Sequence, residues 1–343
     1  MRKLLNTLYI LSDDAYLALD GETVRIMYSD DTNKTVPLHM LESMVSFSYK
    51  GASPALLGEC VKRGIQISFY SPQGRYLASV SNTTKGNVYL RRDQYRIADD
   101  SARSLHIAKN FIYGKLYNEK YVLLRCARDH SLRVDSDALK AAADNISRYM
   151  KDVEHTEDID SLRGIEGNAA AEYFGVFNEM ILQNEKEFHF SGRSRRPPTD
   201  RTNALLSLSY SLLANDCAAA LSGVGLDPYV GFLHVDRPGR KSLALDLEEE
   251  LRSPYADRFT LTLINNRAIT PNDFIMQENG AVLLSEDGRK KFFTEWQKRK
   301  KQMLTHPFLN EKIEWGLVPH VQAQLLARCI RGDLEQYPPF FWK

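Results

Sequence analysis

Apolar and polar residues alternate with a period of two through most of the first ninety positions. Tyr16-Leu17-Ala18-Leu19 and Val24-Arg25-Ile26-Met27 flank Asp20-Gly21-Glu22-Thr23, the pattern of a β-hairpin. Val36-Pro37-Leu38, Met44 to Tyr49, Ile65 to Phe69 and Tyr76 to Val80 continue it, with Ile65, Ile67 and Phe69 on one face. One helix interrupts these strands. Ser53 can cap it, Pro54 suits its first turn, Ala55 to Arg63 is helical, and Gly64 stops it.

Near Asp93 the period lengthens to that of helices. A long helix is predicted from Asp99-Asp100-Ser101 to about Arg128, with acids at its start and bases near its end, as the helix dipole favours. Asp137 to Lys151 follows, then Asp158 to about Asn184 with an apolar stripe of Ala169, Ala170, Tyr173, Phe174 and Phe177. Phe188 to Arg201 reads as a loop. Thr202 or Asn203 caps Ala204 to Leu221, and later helices cover Ser242 to Leu251, Ala256 to Asn265, Glu286 to Met303 and Ile313 to Ile330. Residues 337–343 look like a tail. The expected fold is α+β: a small, sandwich-like β-sheet domain over 1–92, followed by a larger, mostly α-helical domain over 93–343.

Composition changes this picture little. At 343 residues two domains are the natural expectation. The net charge of +1 means that any nucleic-acid surface has to come from local clusters of Lys and Arg. Cys60, Cys126, Cys217 and Cys329 are scattered with no CxxC pair, which argues against a structural zinc site or a disulfide framework. The apolar stretch after Met1-Arg2-Lys3 is short and runs into Asp13-Asp14, unlike a signal peptide, and no uninterrupted apolar run approaches ~18 residues. A cytoplasmic protein with no membrane span is expected.

The candidate chemistry lies in the second half. Glu166 sits in Arg163-Gly164-Ile165-Glu166-Gly167-Asn168-Ala169-Ala170, His234 ends the apolar run Val230 to Leu233, and Asp246 and Glu249 fall on one face of Leu245-Asp246-Leu247-Glu248-Glu249-Glu250-Leu251. A Glu, a His and a second carboxylate from three segments could make an open site for Mg²⁺ or Mn²⁺. Each residue also has an ordinary reading: a solvent-facing Glu, a hydrogen-bonded structural His, an exposed acidic helix face. Basic residues accompany them. Arg193, Arg195 and Arg196 lie in the preceding loop, Arg237, Arg240 and Lys241 flank the site, and Lys298 and Arg299 belong to a basic, aromatic-studded helix. Such clusters suit phosphate binding. No GxxxxGK loop, HExxH or GxSxG elbow is present.

Four segments in order resemble the CRISPR-associated integrase family, the larger of the two spacer-acquisition proteins: Glu166 to Ala170, Thr202 to Leu213, Leu226 to His234 and Ser242 to Glu249. The resemblance spans nearly the whole chain. It implies a metal held by Glu166, His234 and Glu249, with Asp246 a further acidic position near it, and Mg²⁺ or Mn²⁺ as the ion. It implies transesterification that joins the 3′-hydroxyl ends of short double-stranded DNA fragments (prespacers) into a CRISPR repeat. It also implies a homodimer through the β-domains and a heterohexamer with a small ferredoxin-like second adaptation protein, for which residues 338–342 are a candidate docking segment. The competing readings are a stand-alone metal-dependent repair nuclease and a non-enzymatic, DNA-binding architectural protein.

Overall fold

The structure, a computed structural model, describes residues 7–41, 43–71, 76–80, 88–194 and 197–342. The chain begins with β1 (Thr7–Ile10), β2 (Tyr16–Asp20), β3 (Thr23–Met27), β4 (Asn33–Pro37), β5 (Ser43–Ser46), α1 (Pro54–Arg63), β6 (Gln66–Tyr70) and β7 (Tyr76–Val80). β2, β3 and β4 form an antiparallel meander; Gly21, at φ +56, makes the tight turn between β2 and β3. The second sheet runs β1-β5-β6-β7, with β1/β5 and β5/β6 parallel and β7 antiparallel at its edge. A parallel β5/β6 pair needs a crossover, and α1 supplies it. The Ser53 side chain accepts from the Leu56 amide at its start, and Gly64, at φ +71, ends it. One core of Ile10, Leu17, Val24, Ile26, Met44, Leu56, Cys60 and Ile67 joins both sheets and α1. The predicted sandwich-like β-domain is therefore present.

The helical part comprises α2 (Val88–Ala98), α3 (Ser101–Asp129), α4 (Ser136–His155), α5 (Ile159–Gly175), α6 (Arg201–Val224), α7 (Ser242–Leu251) and α8 (Arg258–Asn265). It continues with β8 (Phe274–Met276), β9 (Val282–Leu284), α9 (Glu286–Lys301), β10 (Met303–Thr305), β11 (Lys312–Glu314) and α10 (Val318–Ile330). The α+β class is as expected. Contacts divide the chain into residues 1–85 with 284–302, and 86–283 with 303–343. So α9, which the sequence groups with the helical domain, belongs to the N-terminal unit. The reason is aromatic packing: Phe293 lies 4.8 Å from the Tyr9 ring and 4.9 Å from Phe47, while Phe292 and Trp296 are fully buried.

In the second unit α3 packs against α4, α5 and α7, and α6 packs against α7 and α10. Asp100 caps α3, its carboxylate accepting from the amides of Ala102 and Arg103. By length and composition α6 would pass as a membrane span. Buried Thr202 and Asn203 instead tie it to the chain, to the Phe188 and Gly192 carbonyls. Its cap is Asp200, accepting from the Asn203 amide, because Thr202 and Asn203 turn inward. Pro254 lacks an amide hydrogen and crowds the residue four before it. There the helix widens into a π-turn over Arg252–Asp257, linking α7 to α8.

The C-terminal tail packs into its own domain. Tyr337 and Phe340 are buried, and Asn118 on α3 donates to the Phe340 carbonyl and accepts from the Trp342 amide. Gly114 makes this close approach possible: a Cβ there would stand 2.8 Å from Pro339 Cβ and 3.1 Å from Glu250 Oε2. Gly114→Ala will overpack the seam and cost about 1–3 kcal/mol, read as a lower urea midpoint.

Candidate active site

α7 holds four consecutive-turn acids, Asp246, Glu248, Glu249 and Glu250, all buried. A helix apolar on every side except for its acids has no exposed face, so each carboxylate finds its own partners. Asp246 accepts from the backbone amides of Phe232, Leu233 and His234 and from His234 Nδ1 at 2.6 Å. Glu248 and Glu249 share the Arg252 guanidinium, at 3.1 and 2.5 Å. Glu250 accepts from Tyr337 Oη, from Gln322 Nε2 and from the Phe340 amide, which docks the tail. The exposed acidic face that Glu248-Glu249-Glu250 also allowed is absent.

Three predicted residues meet. The Lys115 ammonium, buried on α3, contacts Glu166 Oε1 on α5 and stands 2.9 Å from Glu249 Oε2. His234 Nε2 lies 3.8 Å from Glu249 Oε1. The assigned bond to Asp246 puts the imidazole proton on Nδ1 and leaves a lone pair on Nε2. Burial opposes the charge on Lys115, yet Glu249 and then Glu166 outweigh it and hold the ammonium above the usual lysine range. Burial alone would raise Glu249, but Arg252, Lys115 and His234 hold it below the usual carboxylate range.

This donor set fits a divalent cation. It offers two hard carboxylates and an imidazole whose far nitrogen donates to a carboxylate, the usual support behind a metal-binding histidine. Glu249 Oε2 accepts no well-formed hydrogen bond and meets Lys115 only as an ion pair. Asp246, Glu248, Glu249 and Glu166, set against Lys115 and Arg252, leave two negative charges in excess. Among the described residues no three His, Cys, Asp or Glu side chains are grouped closely enough to hold a metal ion; Glu166 and Glu249 converge on the Lys115 ammonium instead. Asp246 has both oxygens engaged by the His234 segment, which makes it a support for the imidazole.

Three contributors escaped the sequence reading. Lys115 and Glu119 lie mid-helix on α3, and Arg163 reaches the Leu233 carbonyl with Nε at 3.0 Å, fixing the irregular segment before His234. Their signal was present: a Lys and a Glu on the mostly apolar α3 stripe. Burial pushes the Glu119 carboxyl up to about 8, Lys115 opposing, and its Oε2 has no hydrogen-bond partner. The folded protein therefore keeps a proton that the unfolded chain loses near 4.5, so stability falls as pH rises from there to about 8. Glu119→Gln will flatten that fall, most visibly near neutral pH, in calorimetric melts of chelator-treated protein.

The basic residues scatter. Arg193 turns inward, donating to Asn203 Oδ1 at 2.7 Å with its guanidinium 5.0 Å from the Tyr210 ring. Arg237 is exposed near the site, Arg240 is half-buried, and Lys241 donates to Asn215. Lys298 pairs with Glu295, and Arg299 Nη1 donates to Gln302 Oε1, both on α9 of the other unit. Arg195 and Arg196 lie outside the described residues.

Residues 8–298 match the family model for CRISPR associated protein Cas1. The chain belongs to the Cas1 family. It is 45% identical over 343 residues to CRISPR-associated endonuclease Cas1 1 of Chlorobaculum tepidum and 48% identical over 347 residues to CRISPR-associated endonuclease Cas1 2 of Rhodospirillum rubrum, each match covering both chains in full. Among solved structures, a casposase bound to its integration product shares the fold with a TM-score of 0.85 at 24% identity, over 99% of this chain and 95% of that one. A Cas6-RT-Cas1–Cas2 complex gives 0.82 at 23% identity, over 98% of this chain and 36% of that one. The Cas1 fold accounts for the whole described chain, N-terminal sheets and helical unit together.

Proposed function

We propose that this Cas1 protein is a metal-dependent DNA integrase and endonuclease of CRISPR adaptation, joining the 3′-hydroxyl ends of short DNA fragments into the CRISPR repeat. The observation that carries the reading is that Glu166 and Glu249 meet on the buried Lys115 ammonium while His234 Nε2, from a third segment, stands 3.8 Å from Glu249. Full-length relatives named as endonucleases and a protein of the same fold bound to an integration product support it.

In the joining step the 3′-oxygen of the fragment bonds to a repeat phosphorus while the bond from that phosphorus to the repeat's own 3′-oxygen breaks. The proton of the attacking hydroxyl leaves, and the departing oxygen takes one up. One phosphodiester replaces another, so the protein's task is positioning and electrostatics. Glu166, Glu249 and His234 Nε2 would hold Mg²⁺ or Mn²⁺, which would supply electrostatic stabilisation of the charge that develops at the phosphate. Asp246 fixes the Nδ1–H tautomer of the imidazole and aims its Nε2. Arg252 fixes the Glu249 carboxylate, and Lys115 keeps the two carboxylates together before a cation arrives. With water as the attacking group the same residues support hydrolysis.

Joining two ends at two points calls for paired sites, and the reading includes a homodimer through the β-domains, bridged by a small ferredoxin-like second adaptation protein into a heterohexamer. The Cas1–Cas2 complex among the structural neighbours supports such a partner. Cytoplasmic double-stranded DNA is the substrate. The test is a joining assay with a labelled 3′-hydroxyl fragment and repeat-bearing plasmid, with and without Mn²⁺ or Mg²⁺ and the second protein. Joining that requires the cation is expected. Joining in excess chelator overturns the metal site, and cation-dependent cleavage without joining favours the repair nuclease.

A further inference from the structure

A second polar site lies in the helical unit, away from the carboxylates of α7. The C-terminal turns of α3, the segment around Met180 to Gln183, and α8 enclose a cleft of about 360 Å³. Arg125, Arg133, Arg258 and His130 line it against a single acid, Asp129. Its apolar surface comes from Val122, Leu182 and Leu261.

The guanidiniums are unevenly paired: Arg133 donates to the Leu182 carbonyl and Arg125 meets Asp129. Arg258 stacks 4.2 Å from the Trp342 ring centroid, and Arg125 stands 5.0 Å from the same ring. Two guanidiniums on one indole repel each other, and stacking alone repays little of that. Arg258 is half-buried and makes no hydrogen bond or ion pair among the described residues. Asp129 cannot serve it: that carboxylate is already shared by Arg125 at 3.4 Å and Arg128 at 2.8 Å. Burial, with Arg125 beside it, pushes Arg258 down to about 10. An anion seated here would pair with Arg258 without displacing an existing ion pair. Guanidinium forks suit phosphate oxygens, which accept from several sides at once, and an apolar wall beside them suits a sugar or base.

We propose that this cleft binds one nucleotide unit of a nucleic-acid strand, its phosphate on Arg258 and Arg125 and its sugar or base on the apolar wall. This rests on the reading that the protein handles DNA and adds a phosphate subsite outside the reacting centre. Arg125 follows Lys115 by ten residues on α3, about 15 Å along the axis, so a strand held at the catalytic carboxylates has its phosphates within reach a few nucleotides on.

The test is direct binding of the full chain, in chelator, to a fluorescent single-stranded hexanucleotide, with a free mononucleotide as competitor. Arg258→Gln is expected to weaken hexanucleotide binding about tenfold and to reduce the slope of log affinity against log salt by about 0.7. Asp129→Asn is expected to tighten binding, which keeps the proposal testable should Arg258→Gln not fold. Competition by mononucleotide at micromolar levels would assign the cleft to free nucleotides and overturn the strand proposal, and its absence supports it. Unchanged affinity and salt slope in Arg258→Gln overturn the proposal. The assay involves no joining, so a wild-type protein that binds as predicted yet never joins DNA sinks the catalytic reading and leaves the cleft standing.

Discussion

His234→Ala will lose DNA joining by at least ~100-fold, the upper range for disturbing even the groups behind a metal ligand, while DNA binding and the melting temperature change little. The imidazole is the best member of the site to remove. Glu166 and Glu249 are ion-paired with Lys115, and Glu249 also with Arg252. Deleting either carboxylate takes one of its two partners from buried Lys115, and breaking a buried pair costs up to about 3–5 kcal/mol, so lost activity there would mix chemistry with folding. Among the described residues His234 Nε2 makes no hydrogen bond, and Glu249 Oε1 stands 3.8 Å from it. On the proposed reading its removal takes away one metal ligand and leaves the ion pairs in place. Mn²⁺ titration followed by electron paramagnetic resonance provides a readout independent of joining: the variant is expected to bind the ion at least ~10-fold more weakly. Wild-type joining rates in His234→Ala would remove the imidazole from the reaction.

Gly231→Ala will cost about 10–100-fold in joining without touching any of the three converging side chains. A Cβ at Gly231 would stand 2.8 Å from Asp246 Oδ2, 2.8 Å from Ser242 Cβ and 3.0 Å from the Ser242 carbonyl carbon. Ser242 opens α7 and its backbone cannot retreat, so the Asp246 carboxylate must move. That carboxylate is the hub for the amides of Phe232, Leu233 and His234 and for the imidazole. Displacing it frees the His234 ring to rotate and removes the bond that selects its tautomer. Asp246→Asn, which keeps the shape and loses the charge, is expected to fall in the same range. Normal joining in Gly231→Ala, with a normal melt, would show that the Asp246–His234 contact does not support the reaction.

Much of the architecture was legible from periodicity. The hairpin at Gly21, the capped helix between Ser53 and Gly64 and the long helix from Asp100 were readable because their signals are local: a turn glycine, a side-chain oxygen three residues from the amide it accepts from, a stripe repeating every three to four residues. The candidate residues Glu166, His234 and Glu249 were likewise named from sequence patterns, with the family resemblance choosing among the acids.

The sequence by itself therefore determined the sequence of elements, the α+β class and which segments could carry the chemistry, since each depends on neighbours within a few residues. Tertiary structure alone decided the rest. It placed α9 with the first unit through ring packing on Tyr9 and Phe47, and seated the tail on Glu250 and Asn118. It made Lys115 the cation between Glu166 and Glu249, and Asp246 the support of His234. These contacts join residues 12 to more than 200 positions apart. What a buried charge does depends on which opposite charge is folded against it, and no local pattern encodes that choice.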